Sequence, residues 1–245
     1  MSHVHGRVRH LRRSRQIQAI TILGAVPLAL IAWVVVSRVL DLDVIFAARG
    51  AMLTALPFVV IAIFSPLLLR YPKEVRWRGF TLQWFTIALF FNAVWQVPPL
   101  ALRSVFEGVE RTQGHLPYFL FWWGYHSSDL DYGQMTRFWV LAEVSFWVVS
   151  ALVIVALVQW WRGREAQAFA LLGVCGALQL YNVFFFIAYG GIVLHFDNIA
   201  TDSALAPILY WTFNLLWGIA GGIASILSFL CLFRMYRSRS QEAVP

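Results

Sequence analysis

Residues 80–102 read FTLQWFTIALFFNAVWQVPPLAL. The stretch carries no charge and is about as long as the ~20 apolar residues that cross the hydrocarbon core of a bilayer. Yet it contains Asn92 and Gln96, four residues apart, with Trp95 between them. Amides are costly in lipid and usually face a bundle interior or a cavity. This one run therefore raises both the question of the fold and the question of a site.

The rest of the chain answers the first. Of its 245 residues, 60% are hydrophobic and 13% charged, and mean hydropathy is +0.69. A soluble domain of this length could not hide that much apolar surface. Six runs are long enough to span, at about 17–37, 51–69, 80–102, 138–161, 166–194 and 204–233. None alternates as a strand would, and outer-membrane barrels lack apolar runs of this length. The expected fold class is all-α: an integral membrane protein with a six-helix transmembrane bundle at 17–235, a basic tail at 1–16 and a short tail at 236–245. No separate soluble domain is expected.

The connections alternate in charge. GRVRHLRRSR (6–15), RYPKEVRWRG (70–79), RGRE (162–165) and RMYRSRS (234–240) are basic, whereas 103–137 holds four of the twelve acids, more than any other connection, and 195–203 is acidic. This is the positive-inside pattern with both termini cytoplasmic. It also accounts for the net charge of +7 without nucleic acid. The first run is too long for a signal-peptide core and lacks a small-x-small cleavage site, so it reads as a helix. Cys175 and Cys231 fall in apolar runs as small packing residues. His3, His5 and His10 read as residues of a mobile tail. No metal or organic cofactor is expected, because there is no Gly-rich nucleotide loop and no clustered ligand set.

Polar groups recur at one depth. Asn92 and Gln96 share a face in the outer half of the third helix. Glu143 lies about two turns inside the fourth, the one carboxylate well inside any run. The fifth brings Gln179, Tyr181 and Asn182 to about mid-depth. The sixth brings Tyr210, Asn214 and Trp217. At ~1.5 Å per residue these positions fall between the midplane and the outer leaflet, as for a pocket inside a bundle. Trp95, Trp139, Trp147 and Trp217 are candidate walls. Amides in membrane helices also serve as interhelical glue, at ~0.6 kcal/mol on average. Glu143 is harder to explain that way. An unpaired carboxylate in hydrocarbon costs several kcal/mol, so it must be paired, protonated or solvated by a cavity.

Several motifs resemble one family. PILYWTFNLLWGIAGG (207–222) is similar to the last helix of the emopamil-binding (EXPERA) proteins, with their P-x-x-Y-x-x-x-x-N-x-x-W pattern. SSDLDY followed by VLAEVSFWVV resembles their acidic loop and glutamate-bearing helix. LQLYNVFFFIAYGG resembles their Gln-x-Tyr segment. The resemblance covers about 80–235. It implies a bundle around a lipid-sized cavity and, as in the sterol Δ8–Δ7 isomerases, protonation of a ring alkene followed by loss of a different proton. By position, Glu143 matches a catalytic-site glutamate, Asn214 and Trp217 the last-helix pair, and Asp129 and Tyr132 the loop pair. Asn92 and Gln96 stand where the family has a histidine and a glutamate, and neither amide can act as a general acid at neutral pH. NAVWQ also resembles, more faintly, the N-x-x-W-E of membrane-bound meroterpenoid cyclases.

The leading reading is an isomerase shifting a double bond in a sterol-, terpenoid- or other polycyclic lipid. Glu143 would be the principal acid/base, with Asp129, Asp131 and His126 as relays. Asn92, Gln96 and Asn214 would orient substrate or Glu143, and Trp95, Trp217 and Tyr181 would face positive charge. The alternatives are a cyclase of related mechanism, a non-catalytic binder of lipids or amphiphilic amines, and a transporter subunit or structural membrane protein. Expected partners are a hydrophobic small molecule or lipid substrate and membrane lipids. The small residues of GIAGGIAS (218–225) serve either a homodimer or tight packing within one bundle.

Overall fold

The computed structural model describes residues 12–134 and 136–242, with the side chains of Arg12, Trp95, Gln96, Leu100, Glu107, Arg239, Gln241 and Glu242 left outside the description. The histidines of the first ten residues also lie outside it. The described residues form helices and no strand; one isolated antiparallel bridge pairs Asp129 with Ile199. Helix α1 (Arg12–Ile20) runs through a π-turn (Thr21–Ala25) into α2 (Val26–Val39), and α3 covers Val44–Leu68. Helix α4 (Lys73–Phe91) passes through a second π-turn (Asn92–Gln96) into α5 (Val97–Ala101). Three short helices follow, α6 (Arg103–Gly108), α7 (Leu116–His126) and α8 (Leu130–Gln134). The long helices α9 (Arg137–Trp161), α10 (Glu165–Ile192) and α11 (Leu205–Glu242) complete the chain.

Among the described residues, six helical stretches are long and apolar enough to cross a membrane: Arg13–Val39, Val44–Leu68, Lys73–Pro99, Arg137–Trp161, Glu165–Ile192 and Leu205–Ser238. They mark a multi-pass membrane protein. The second begins earlier than the sequence suggests, because Arg49 lies inside the helix and is only 1% exposed. The 103–137 connection is also more ordered than its composition implies, since α7 is largely buried against α3.

Both π-turns begin six residues before a proline, Thr21 before Pro27 and Asn92 before Pro98. A proline ring inside a helix collides with the carbonyl four residues back. Widening the preceding turn relieves that collision, and such turns often accompany functional sites. Here the i→i+5 bond runs from the Val97 N–H to the Asn92 carbonyl.

The tightest seam joins α10 and α11. A Cβ on Gly176 would sit 2.5 Å from the Gly221 carbonyl oxygen and 2.8 Å from the Ser225 nitrogen. Ser225 Oγ donates to the Gly173 carbonyl at 2.7 Å. Among the small residues of 218–225, Gly221 and Ser225 are thus engaged inside the bundle. Helix α11 also packs on α3 and α4, while α9 closes the other side of α10. Trp84, Phe85, Leu172, Cys175, Ala220 and Ala224 fill the core between these helices. Cys175 and Cys231 are buried and unpaired, as packing residues should be.

At one end, basic residues tie helices together. Arg78 pairs with Glu165 at 2.8 Å, and Arg234 pairs with Glu74 at 3.2 Å while lying 4.4 Å over the Trp77 ring. At the other end α6–α8 form a cap. Gln113 fastens it, accepting from Ser37 Oγ at 3.0 Å and donating to the Leu42 carbonyl at 2.6 Å. Leu116, Leu120 and Trp123 of α7 insert between Ala47, Ala48 and Met52 of α3 and Leu209 of α11.

Candidate functional site

A cavity lies inside the bundle just beneath the cap. Its walls come from Val59 of α3, Phe91 and Asn92 of α4 and its π-turn, Tyr125 of α7 and Tyr132 of α8. Ala142, Glu143 and Phe146 of α9, Val183 and Phe186 of α10, and Phe213, Asn214, Leu216 and Trp217 of α11 complete it. The space open to the centres of water-sized molecules is about 80 Å³, several times what one water requires. Counting the open mouth, about 810 Å³ is free of protein atoms.

Glu143 is completely buried. Its Oε1 accepts a short hydrogen bond from the Tyr132 hydroxyl, and its Oε2 has no hydrogen-bond partner. Burying a carboxyl this way is tolerable when a donor meets one oxygen and the rest is neutral or bound. Trp139, also fully buried, braces Tyr132 edge-on with ring centres 5.0 Å apart, and Tyr125 does the same at 4.9 Å. The carboxyl is therefore held by a phenol whose ring cannot turn freely.

The two amides of the wall are each fastened by one end. Asn92 Nδ2 donates to Ser150 Oγ at 2.7 Å, and its Oδ1 is buried without a partner. Asn214 Nδ2 donates to the Tyr125 hydroxyl at 2.9 Å and to the Tyr210 carbonyl at 2.8 Å. Trp217 stands between Trp84 (4.9 Å) and Phe91 (5.7 Å), both edge-on. Gln179 is not part of this wall. It accepts from Trp84 Nε1 at 3.1 Å, and so supports Trp217 from behind.

Of the residues singled out from sequence, Glu143, Asn92, Asn214 and Trp217 meet in one cavity, together with Tyr132 from the loop motif. Trp147 (39% exposed) and Tyr181 (62% exposed) point out of the bundle, and Asn182 lines no part of this cavity. Tyr210 is fully buried but sits behind the wall. The side chains of Trp95 and Gln96 lie outside the described residues. Tyr125, Phe146, Phe186 and Phe213 were not foreseen. The G-Y-H sequence at 124–126 gave no periodic signal, and an aromatic ring in a helix that is apolar all round does not declare its face.

Asp129, Asp131 and His126 form a separate group in the cap. Asp129 is fully buried; its Oδ1 accepts from the Asp131 N–H at 3.1 Å, and the Asn198 side chain lies against the carboxyl without a well-formed hydrogen bond to Oδ2. Burial, and secondarily the neighbouring Asp131, push its carboxyl up to about 8. Burial also raises Asp131. Burial, and then the charge of Arg111, lower His126 to about 3, so it is neutral across the physiological range. Burial raises the phenols of Tyr125 and Tyr132 well above the ordinary tyrosine value, which keeps both as donors. No group of three or more His, Cys, Asp or Glu able to hold a metal occurs among the described residues.

Compared with family models, curated proteins and solved structures, the chain matches none.

Proposed function

We propose that this protein is a membrane enzyme that moves a double bond within a polycyclic or terpenoid-like lipid by protonation and deprotonation at Glu143. The observation that carries the reading is a single buried carboxyl, hydrogen-bonded on one oxygen only, in a cavity otherwise walled by aromatic rings, aliphatic side chains and two amides. In its acid form Glu143 gives its proton to one alkene carbon, and the π pair forms the new C–H bond. The cation left on the neighbouring carbon faces the rings of Trp217, Tyr125 and Phe213, whose negative faces favour it. Loss of a proton from the next carbon re-forms the double bond one position along, and the Glu143 carboxylate takes that proton back. Tyr132 holds the carboxyl in place and stabilises its ionised form by donating a hydrogen bond.

The resemblance of 207–222 and of the Glu143 helix to emopamil-binding proteins supports the same chemistry. Asn92 departs from that pattern, and with one end on Ser150 it serves to shape and orient. The basic end of the bundle faces the cytoplasm in this reading, by the positive-inside rule, and both termini lie there. The cap faces the opposite side.

A carboxyl among aromatic rings also suits an amphiphilic amine, so binding without turnover is the second reading. One experiment separates them. Membranes containing the protein or its Glu143→Gln variant are incubated in heavy water with lipid extract of the source. A deuterated lipid of shifted retention, formed only with Glu143, supports the enzyme. A co-purifying lipid with no deuterated product favours the binder and removes the enzymatic reading.

A further inference from the structure

Besides Gln113 and the apolar face of α7, the cap is held down by an arginine that no part of the proposed chemistry uses. Arg49 of α3 is 1% exposed, yet every arm of its guanidinium is engaged. Its Nε donates to Ser128 Oγ at 3.1 Å, and its Nη1 donates to Asp202 Oδ1 at 2.7 Å and Ser203 Oγ at 2.8 Å. Its Nη2 donates to the Ser127 carbonyl. One side chain thus joins a membrane helix, the turn after α7 and the connection between α10 and α11. Those two loops are also joined directly. The Leu130 N–H donates to the Asn198 carbonyl at 2.7 Å, and the Ala200 N–H donates to the Ser128 carbonyl at 3.1 Å.

Two features oppose this closure. The connection leaves α10 through His195 (φ 49°) and Phe196 (φ 61°), consecutive non-glycine residues in the left-handed region. Such backbone is unfavourable and persists only where contacts elsewhere impose it. Beneath the connection, the Asn198 side chain lies against Asp129 and the Tyr210 hydroxyl, but none of these buried groups makes a well-formed hydrogen bond with another. Water entering on opening would satisfy all of them. The closed cap is therefore a balance, with the Arg49 pins on one side and strain plus poorly paired polar groups on the other.

We propose that residues 127–132 and 195–204 form a hinged plug over the cavity, and that the Arg49–Asp202 ion pair is its latch. Asp202 is the releasable half. Its side chain is 60% exposed, while Arg49 is buried, so solvent and salt reach the pair from one side only. Opening lifts the turn that carries Tyr132 and admits water towards Glu143. The latch works in this way whatever chemistry Glu143 performs.

Hydrogen exchange on the purified full chain in lipid nanodiscs tests it, with Asp202→Ala and the conservative Asp202→Glu. In Asp202→Ala the amides of 127–132 and 196–203 should exchange about tenfold faster, the usual scale for losing one charge-assisted contact. The seam of α10 and α11 should be unchanged, and Asp202→Glu should restore protection. A water-soluble carbodiimide should label Glu143 faster in Asp202→Ala than in the parent or in Asp202→Glu. Unchanged exchange in both loops, or an increase spread equally through α10 and α11, overturns the latch. No readout involves substrate turnover. A working latch on a protein that isomerises nothing would leave this inference standing and remove the proposed reaction.

Discussion

The hydroxyl of Tyr132, a residue of the cap, donates to Oε1 of Glu143, a residue of the bundle. The acid is thus positioned by an element outside the membrane-spanning helices. Tyr132→Phe should leave Glu143 buried but unsupported. In the heavy-water assay it should slow product formation by about ten- to a hundredfold, whereas Glu143→Gln should remove it entirely. Equal loss in both variants would mean that Tyr132 itself transfers the proton.

The two amides should behave differently. Asn92→Ala frees Ser150 and widens the cavity, so it should weaken lipid binding with little change in turnover at saturation. Asn214→Ala removes the donor to the Tyr125 hydroxyl, a net contribution of about 1 kcal/mol. It should lower thermal stability as well as affinity. Thermal unfolding and lipid co-purification, measured on both variants, separate the roles.

The seam between α10 and α11 predicts a sharp contrast among glycines. Gly176→Ala would place a Cβ 2.5 Å from backbone on the facing helix, which cannot step aside as a side chain could. Forcing the helices apart should cost about 1–3 kcal/mol or more. Gly24→Ala, where nothing lies within 4 Å, should be neutral or stabilising. Denaturant or thermal scans in a fixed detergent would measure both.

The cap should loosen as pH rises through neutrality. Asp129, held up to about 8, keeps its proton in the folded state after the unfolded chain has lost it. Its stabilising contribution is present at low pH and is lost as pH climbs towards 8. His126, lowered to about 3, acts in the opposite sense and is spent by about pH 6.5, where the unfolded imidazole is itself neutral. Between about 6.5 and 8 the Asp129 contribution remains, at most about 1.4 kcal/mol per pH unit, and Asp131, raised by burial, acts in the same sense. Exchange of amides 127–132 should accelerate across that window, and Asp129→Asn should flatten the dependence.

Much of the helical architecture is legible because the length of an apolar run follows directly from bilayer dimensions. Glu143, Asn92 and Asn214 were legible for the same reason: polarity is conspicuous against hydrocarbon. Aromatic residues were not. Tyr181 and Trp147 sit at plausible depths, yet they point outward, because a membrane helix is apolar on both its lipid and its core faces. Arg49 is hard to see in the sequence because its charge trims the apparent start of the second run. Only the folded chain brings Ser127, Ser128, Asp202 and Ser203 to it. Tyr125 became visible only when α7 folded back onto α3.

The place of α11 bears on how the protein is made. Phe213, Asn214, Leu216 and Trp217 supply one wall of the cavity, and the helix carrying them packs on α3, α4 and α10. Of the six spans described, it leaves the ribosome after the other five. Five inserted helices would await it with a gap along their middle, and Glu143 would have no enclosed chamber until it was inserted. A stop codon before Leu205 would leave a membrane-inserted chain with exposed seams on several helices, a ready target for membrane quality control.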